Sequence, residues 1–294
     1  MRTQTIVFEN IKDFNLAHIF ECGQCFRWNP SKDGKSYIGV AGSYAVKARV
    51  DKVQDRLDFT EVLGIGEEAD TEVCNLTLEV TGGGESFWAD YFDLNTNYSI
   101  IKDSLINNEP QISDAVEYGS GIRILNQDKF ETLISFIVSQ NNNIPRIKKC
   151  IESICRKYGE SLGDVFGEER FAFPSVERMS TASVQELMDL KLGYRSKYIV
   201  AATEKYMNEG CPNNYEEVIA YPGVGPKVAN CIMLFGLHSV EAFPIDTWVK
   251  QIMKDMYSFD ENNIKGMSEF AARKFGAYAG YAQQYLFYYY RDRK

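Results

Sequence analysis

A lysine and an aspartate that follow a glycine hairpin are the residues of this chain best placed to do chemistry. Residues 221–229 read Tyr-Pro-Gly-Val-Gly-Pro-Lys-Val-Ala, and Asp246 follows within residues 243–248. Pro226 suits the first turn of a helix, which puts Lys227 one residue further into it. A lysine amine can attack carbon and form a Schiff base. Asp246 could present a carboxylate to Lys227 or cap the helix that begins near Thr247, and the two roles are compatible.

The hairpin itself predicts a binding site for phosphate. Gly223 and Gly225 can adopt positive φ and let another backbone approach closely. The free main-chain amides of the hairpin and of the helix start, including that of Val228, can hold a phosphate without any cationic side chain. A lone Gly-x-Gly is more often an ordinary tight turn between helices. The lysine and aspartate that follow it favour the functional interpretation here.

The overall charge does not by itself suggest a nucleic-acid partner. The formal net charge is −9 over 294 residues. Residues 1–118 hold 10 Lys and Arg against 20 Asp and Glu, whereas residues 119–294 hold 22 against 21. The acidity therefore lies in the first part, and the second part can still present a basic face.

Composition indicates a globular protein with reduced thiols. No apolar run reaches the length of a membrane span, and the charged residues within 1–20 exclude a signal peptide. We therefore expect a soluble, intracellular protein. Seven cysteines at uneven spacing indicate free thiols, and the Cys22–Cys25 pair lacks the second pair or the histidines that zinc requires. His18 and His238 are expected to be structural, and we expect no metal and no cofactor.

These residues must be positioned by two different kinds of structure. Residues 37–40, 44–50 and 75–80 are short β-prone runs, and residues 32–35 suit a hairpin turn. From about residue 119 the apolar periodicity is helical. The predicted helices lie at 129–138, 146–158, from 181, at 197–209, at 215–220 and, as one or two helices, at 267–290. We predict an α+β protein with a β-rich domain at 1–118 and a helical domain at 119–294.

The chain resembles the 8-oxoguanine DNA glycosylases of the helix-hairpin-helix-GPD superfamily. The hairpin and Asp246 match the superfamily signature, and further segments narrow the resemblance to this family. Those segments are residues 22–28 (CGQCFRW), 121–125 (GIRIL), 139–144 (SQNNNI), 192–195 (LGYR) and 278–283 (YAGYAQ). No four-cysteine cluster follows the hairpin, which disfavours the iron–sulfur relatives.

The resemblance implies a bifunctional glycosylase and lyase that excises 8-oxoguanine from duplex DNA, opposite cytosine. It implies a small antiparallel TBP-like β domain followed by an all-α helix-hairpin-helix domain. The expected partner is double-stranded DNA containing an oxidised purine, bound by a monomer without membrane contact. The expected compartment is the nucleoid of a prokaryote or the nucleus of a eukaryote.

By resemblance, Lys227 is the nucleophile and Asp246 stabilises the sugar cation. The base must leave the duplex to be reached. The Gly23 carbonyl would accept the N7 hydrogen that distinguishes 8-oxoguanine from guanine. The base pocket of Gln283, Cys231 and Phe287 rests on the resemblance as well. From the residues alone, Gly23 is an ordinary turn glycine, and core packing is an even alternative for Cys231 and Phe287.

The duplex side of the site is assigned in the same way. Asn141 would fill the gap left by the base, and Tyr194 would wedge beside the opposite base. Arg146 and Arg195 would bond the orphaned cytosine, although solvated or phosphate-facing arginines are common.

Three departures from the family pattern concern the fine shape of the site. Trp248 replaces a histidine, Phe235 replaces a methionine, and Pro145 interrupts the loop before Arg146. Two alternatives stay open. One is a helix-hairpin-helix glycosylase for another damaged purine, which usually needs no lysine. The other is a non-catalytic DNA-binding module, which would not need the Lys227–Asp246 pair.

Overall fold

An antiparallel five-stranded sheet forms the N-terminal part of the protein, whose computed structural model describes residues 2–53 and 73–293. The strands, in the sheet order β1-β5-β4-β3-β2, are β1 (Gln4–Ile11), β2 (Asn29–Pro30), β3 (Tyr37–Ala41), β4 (Tyr44–Lys52) and β5 (Cys74–Val80). Alternate residues of β5 are buried, as expected for a strand with one face on a core. The three predicted β runs are confirmed as β3, β4 and β5.

The predicted hairpin turn at 32–35 joins β2 to β3, which pair antiparallel. Gly34 adopts a φ of +68° there, a value that costs glycine little. Three elements of this part were not anticipated: β1, β2 and helix α1 (Leu16–Glu21). Most β1 residues are exposed or half-buried, so the strand has only a weak apolar pattern.

Helices form most of the other described residues. They are α2 (Glu85–Tyr91), α3 (Tyr98–Asn108), α4 (Ser113–Tyr118), α5 (Lys129–Ser139), α6 (Ile144–Tyr158), α7 (Val176–Met179), α8 (Val184–Asp189), α9 (Arg195–Glu209), α10 (Tyr215–Ile219), α11 (Pro226–Phe235), α12 (Thr247–Tyr257), α13 (Ile264–Phe275) and α14 (Ala279–Asp292). The predicted helices are confirmed, with the last region divided into α13 and α14. In the part of the chain that the structure describes, no helix is long and apolar enough to cross a membrane.

One β-hairpin interrupts the helical region, contrary to the expectation of helices alone from residue 119. Strands β6 (Ser161–Val165) and β7 (Glu168–Phe171) pair antiparallel between α6 and α7. The pair is mostly exposed, and Gly163 and Gly167 both have positive φ. Its short strands give too few apolar residues for their period to be recognised in the sequence.

Two large hydrophobic cores underlie these layers, and a small third cluster lies where the β6–β7 hairpin packs on β3 and β4. One lies on the sheet and includes α1 and α2, and the other joins the helices from α3 onward. Helices α3 and α4 belong to the helical core, although they precede residue 119. The division at 118/119 therefore remains a prediction about the domains.

The loop after α1 is held against the helical part by Gln24, which is 1% exposed. Its amide nitrogen donates to the carbonyls of Ile19 (2.9 Å) and Arg123 (2.7 Å), and its amide oxygen accepts from the Leu125 amide (2.9 Å). Each polar atom of this buried side chain is therefore satisfied. The same bonds fix the position of the neighbouring Gly23.

Candidate active site

In the helical hairpin between α10 and α11, Gly223 adopts the predicted positive φ, whereas Gly225 does not, with a φ of −97°. Gly223 has a φ of +79°, and a Cβ there would lie 2.5 Å from the Tyr198 ring, so only glycine fits. Gly225 is the N-cap of α11 and Pro226 occupies its first turn. The first amides of α11, including that of Val228, have no partner within the helix. The site therefore offers main-chain donors for an anion, as the sequence predicts.

Lys227 lies in the first turn of α11, above an aromatic floor. Its Nζ is 5.6 Å from the centroid of the Phe136 ring. Phe136 stacks on Phe235 with ring centroids 5.4 Å apart and meets Phe26 edge-on at 5.6 Å. The face of an aromatic ring attracts an ammonium group, so the floor holds the lysine head in place. The departure at Phe235 is thus part of this floor.

Asp246 lies at the start of α12, where it caps the helix as anticipated and interacts electrostatically with Lys227. Its carboxylate accepts a 2.8 Å bond from the Val249 amide and so caps the helix. Burial raises the pKa of Asp246, against the lowering effects of the Val249 amide and the Lys227 charge. The aspartate and the lysine therefore lie within electrostatic range of each other, as the sequence suggests.

Cys231 lies one turn after Lys227 on the same face of α11 and is 3% exposed. Burial raises the pKa of its thiol, and the Lys227 charge opposes that rise. The thiol is therefore neutral and presents a soft apolar surface beside the lysine.

Gly23 and Phe287 come from opposite ends of the chain and form two adjoining sides of the region that we call the slot. Gly23 has a φ of +85°, and a Cβ at this position would lie 3.3 Å from Cε1 of Phe287 on α14. Gln283 lies one turn before Phe287, is 3% exposed, and accepts a 2.7 Å bond from the Gln284 amide. The structure thus brings Gly23 and Phe287 into contact, with Gln283 on the same helix.

The residues assigned to the duplex side lie at one edge of the protein. Asn141 has a φ of +45° and donates from its amide to the Tyr194 hydroxyl at 3.3 Å. Tyr194 is 48% exposed, which suits a wedge. The Arg195 guanidinium lies 4.6 Å from the Tyr194 ring centroid. Arg146 donates to the Lys191 carbonyl at 3.4 Å, so all four residues border one loop pair.

Arg195 is buried, and its donors are used within the protein. Its guanidinium donates to the main-chain oxygens of Gln140, Asn141 and Leu192. These bonds hold the loop that carries Asn141 in its left-handed conformation. A bond from Arg195 to cytosine remains a prediction.

Gln140 was missed by sequence reasoning, although it lies within a segment that carries the family resemblance. Its side-chain amide donates to the Gly223 carbonyl at 2.9 Å. The residue therefore connects the helical hairpin to the loop that carries Asn141. Phe136 was also missed, because nothing in a buried apolar helix indicates which ring lies beneath a lysine.

The two cysteines at 22 and 25 and the departures Pro145 and Trp248 lie in ordinary structural positions. Cys22 and Cys25 are free and buried, and burial raises the pKa of Cys22 to about 11. Among residues 2–53 and 73–293, no group of three or more His, Cys, Asp or Glu could hold a metal ion. Pro145 lies in the first turn of α6 and not in the preceding loop, because α6 begins at Ile144. Trp248 is half-buried in the first turn of α12.

Known proteins resemble this chain over nearly its whole length. The 8-oxoguanine DNA glycosylase N-terminal domain matches residues 6–133, and the HhH-GPD superfamily base excision DNA repair protein matches residues 134–277. The N-glycosylase/DNA lyase of Saccharomyces cerevisiae is 31% identical, covering 95% of this chain and 84% of the relative. A relative from Arabidopsis thaliana with the same activity name is 31% identical, covering 94% and 77%.

A solved structure shows the same architecture. The Clostridium acetobutylicum 8-oxoguanine glycosylase/lyase, in complex with double-stranded DNA containing cytosine opposite 8-oxoguanine, superposes with a TM-score of 0.84. It is 35% identical and covers 99% of this chain and 97% of its own. Fold and site together define a helix-hairpin-helix DNA glycosylase. Within that class, this chain belongs to the 8-oxoguanine DNA glycosylase family.

Proposed function

We propose that this protein excises 8-oxoguanine from duplex DNA and then cleaves the strand at the abasic site. The observation that carries the proposal is the placement of Lys227 at a helix start, beside Asp246 and above the aromatic floor. A glycosylase for alkylated purines usually needs no such lysine, and a non-catalytic DNA-binding module would not need the Lys227–Asp246 pair. The relatives named N-glycosylase/DNA lyase support the same reaction.

In the first step the neutral Lys227 amine attacks C1′ of the damaged nucleotide. The bond from C1′ to the base breaks, and the base leaves with the bonding electrons and takes up a proton. The Asp246 carboxylate stabilises the positive charge that develops on the sugar, because a fixed charge in a dry site costs no reorganisation. The sugar ring then opens to a Schiff base on Lys227.

In the second step the Schiff base makes the C2′ hydrogen acidic. Loss of that proton expels the 3′-phosphate by β-elimination and cuts the strand. Water then releases the sugar remnant from Lys227. This sequence needs no cofactor, because the lysine supplies the electron sink.

The base is recognised in a slot bordered by Gly23, Cys231 and Phe287. Its N7 hydrogen donates to the Gly23 carbonyl, whereas guanine presents an acceptor at N7 and is repelled. Gln283 bonds the Watson–Crick edge, and Cys231 and Phe287 cover the two faces of the ring. The hairpin amides of Gly223, Gly225 and Val228 hold a DNA phosphate.

The opposite strand is held by the loop pair around Asn141 and Tyr194. Asn141 fills the gap left by the flipped base, and Tyr194 wedges beside the opposite base. Arg146 and Arg195 bond the orphaned cytosine, which requires Arg195 to exchange carbonyl partners on binding. The protein acts as a monomer. Its compartment is the one that holds the DNA, which is the nucleoid of a prokaryote or the nucleus of a eukaryote.

Borohydride trapping on a duplex with one 8-oxoguanine opposite cytosine tests the proposal. We expect a covalent adduct with the native protein, none with Lys227→Gln, and an undiminished adduct with the exposed control Lys265→Gln. An undamaged duplex should give no adduct. A native protein that neither traps nor releases the base would exclude this substrate, and binding without any reaction would favour a DNA-binding module.

A further inference from the structure

The two sides of the slot are far apart in the chain, so the covalent backbone does little to fix their relative position. Gly23 follows α1, whereas Phe287 lies on α14 near the other end of the chain. A shift of either one changes the position of the Gly23 carbonyl relative to the Phe287 ring. A side chain that bridges the two sides would therefore affect recognition directly.

Arg291 bridges them. Its Nη1 donates at 2.5 Å to the carbonyl of Glu21, the last residue of α1, across 270 residues of sequence. A helix leaves its last carbonyls without partners and carries negative potential there, so an arginine suits this position. The bond holds α14 against the end of α1, two residues before Gly23.

The same guanidinium group lies 5.4 Å from the centroid of the Phe287 ring and 5.4 Å from that of Tyr288. Its Nε and Nη2 donate to the Asp292 carboxylate at 3.0 and 2.8 Å, which orients the fork. The Arg291 side chain is only 19% exposed. An ordinary surface ion pair with Asp292 would explain the carboxylate contact, but not the bond to Glu21 or the contact with Phe287.

We propose that Arg291 is a positioning residue that holds the Gly23 carbonyl and the Phe287 ring at the relative position that base recognition requires. Its bond to the Glu21 carbonyl fixes the loop that carries Gly23, and its contact with Phe287 fixes the ring. The inference rests on the proposed function, since it concerns the pocket for the flipped base. The contacts of Arg291 lie at the two sides of the slot, so we expect it to act on base recognition and not on duplex affinity.

Three variants test this role. Arg291→Met keeps the apolar stem and removes the fork, and Arg291→Lys keeps the charge and one donor for the Glu21 carbonyl. Arg293→Met is the matched control, because Arg293 lies over Tyr289 on the same helix, 4.6 Å from its ring centroid. Two readouts separate the slot from the duplex. One is single-turnover excision of 8-oxoguanine opposite cytosine, and the other is affinity for a duplex with a tetrahydrofuran abasic analogue, which leaves the slot empty.

We expect Arg291→Met to lower the excision rate about tenfold, equivalent to about 1.4 kcal/mol of activation free energy. Its affinity for the abasic duplex should stay at the native value, and Arg291→Lys should recover part of the rate. Arg293→Met should match the native protein in both assays.

An unchanged excision rate for Arg291→Met would overturn the inference. So would an equal loss of excision and abasic-duplex affinity in both Arg291 variants, since that pattern indicates general destabilisation. Thermal unfolding shows whether Arg291→Met is folded at the assay temperature. If it is unfolded, the excision rate of Arg291→Lys alone tests the inference. A native protein that leaves 8-oxoguanine in place would instead refute the proposed function, and the inference would fall with it.

Discussion

Replacement of Asp246 separates its structural role from its chemical one. Asp246→Asn keeps an oxygen that can accept from the Val249 amide, so the cap on α12 survives while the charge is lost. Asp246→Ala removes both. An N-cap contributes about 1 kcal/mol, so only the alanine variant should unfold at a lower temperature. The asparagine variant should be at least as stable as the native protein, because burial disfavours the ionised carboxylate.

Excision should respond differently. Loss of one preorganised group that stabilises a transition state lowers the rate about 10² to 10³-fold, and both variants lose the same carboxylate. We therefore expect similar losses of single-turnover excision in Asp246→Asn and Asp246→Ala, despite their different stability. The measurements are base release from the 8-oxoguanine duplex under single-turnover conditions and thermal unfolding of each variant.

Asp128 provides the matched control, because it caps α5 through a 2.8 Å bond from the Glu131 amide and is exposed. Asp128→Ala should lose stability as Asp246→Ala does, yet excise at the native rate. Near-native excision by Asp246→Asn would refute the reasoning, because Asp246 would then be only a cap.

The pH dependence follows from the same carboxylate. Since burial raises the pKa of Asp246, its charge is lost on acidification at a higher pH than an ordinary aspartate would lose it. Native excision should fall over that range, and a rate that stays constant until the ordinary aspartate range would contradict this account.

The remaining predictions concern stability, the slot and the hairpin. Burial raises the pKa of Glu131 from 4.5 to about 7, so the unfolded chain ionises first and the free energy of unfolding falls as pH rises between those values. The thermal stability of Glu131→Gln relative to the native protein should therefore increase from pH 4.5 to pH 7. Gly23→Ala should lose excision while keeping affinity for abasic duplex, whereas Gly34→Ala, with a positive φ but open space around it, should only lose stability. Gln140→Leu should bind abasic duplex about fivefold more weakly, because about 1 kcal/mol is lost with its hydrogen bond to the hairpin.

Each of these has an outcome that contradicts it. Glu186 is the opposite case to Glu131, since the Ser183 amide lowers its pKa from 4.5 to about 2. The thermal stability of Glu186→Gln relative to the native protein should therefore increase as pH falls below 4.5. If Glu131→Gln and Glu186→Gln showed the same pH trend, these pKa shifts would not explain their stability. Equal excision by the two glycine variants would remove Gly23 from the slot, and native duplex affinity for Gln140→Leu would show that the hairpin needs no such support.

The helical hairpin, Lys227 and Asp246 could be predicted because their signals are local. A glycine that requires positive φ, a proline in a first helical turn and an aspartate at an N-cap each depend on a few neighbouring residues. The helices from α5 onward were predictable for the same reason, through apolar periodicity and capping residues. One short segment and its continuation were therefore enough to predict the hairpin, Lys227 and Asp246 as the candidate site.

The slot and its supports depended on tertiary structure. Gly23 has the sequence signal of any turn glycine, and only packing places it against Phe287 on the last helix. Gln140 and Arg291 contribute through single bonds to carbonyls far away in sequence, at Gly223 and Glu21. Every residue has a carbonyl, so the identity of such a partner leaves no trace in the sequence. The amino-acid order alone thus determined which groups could react, whereas long-range packing decided the shape of the space in which they would meet a base.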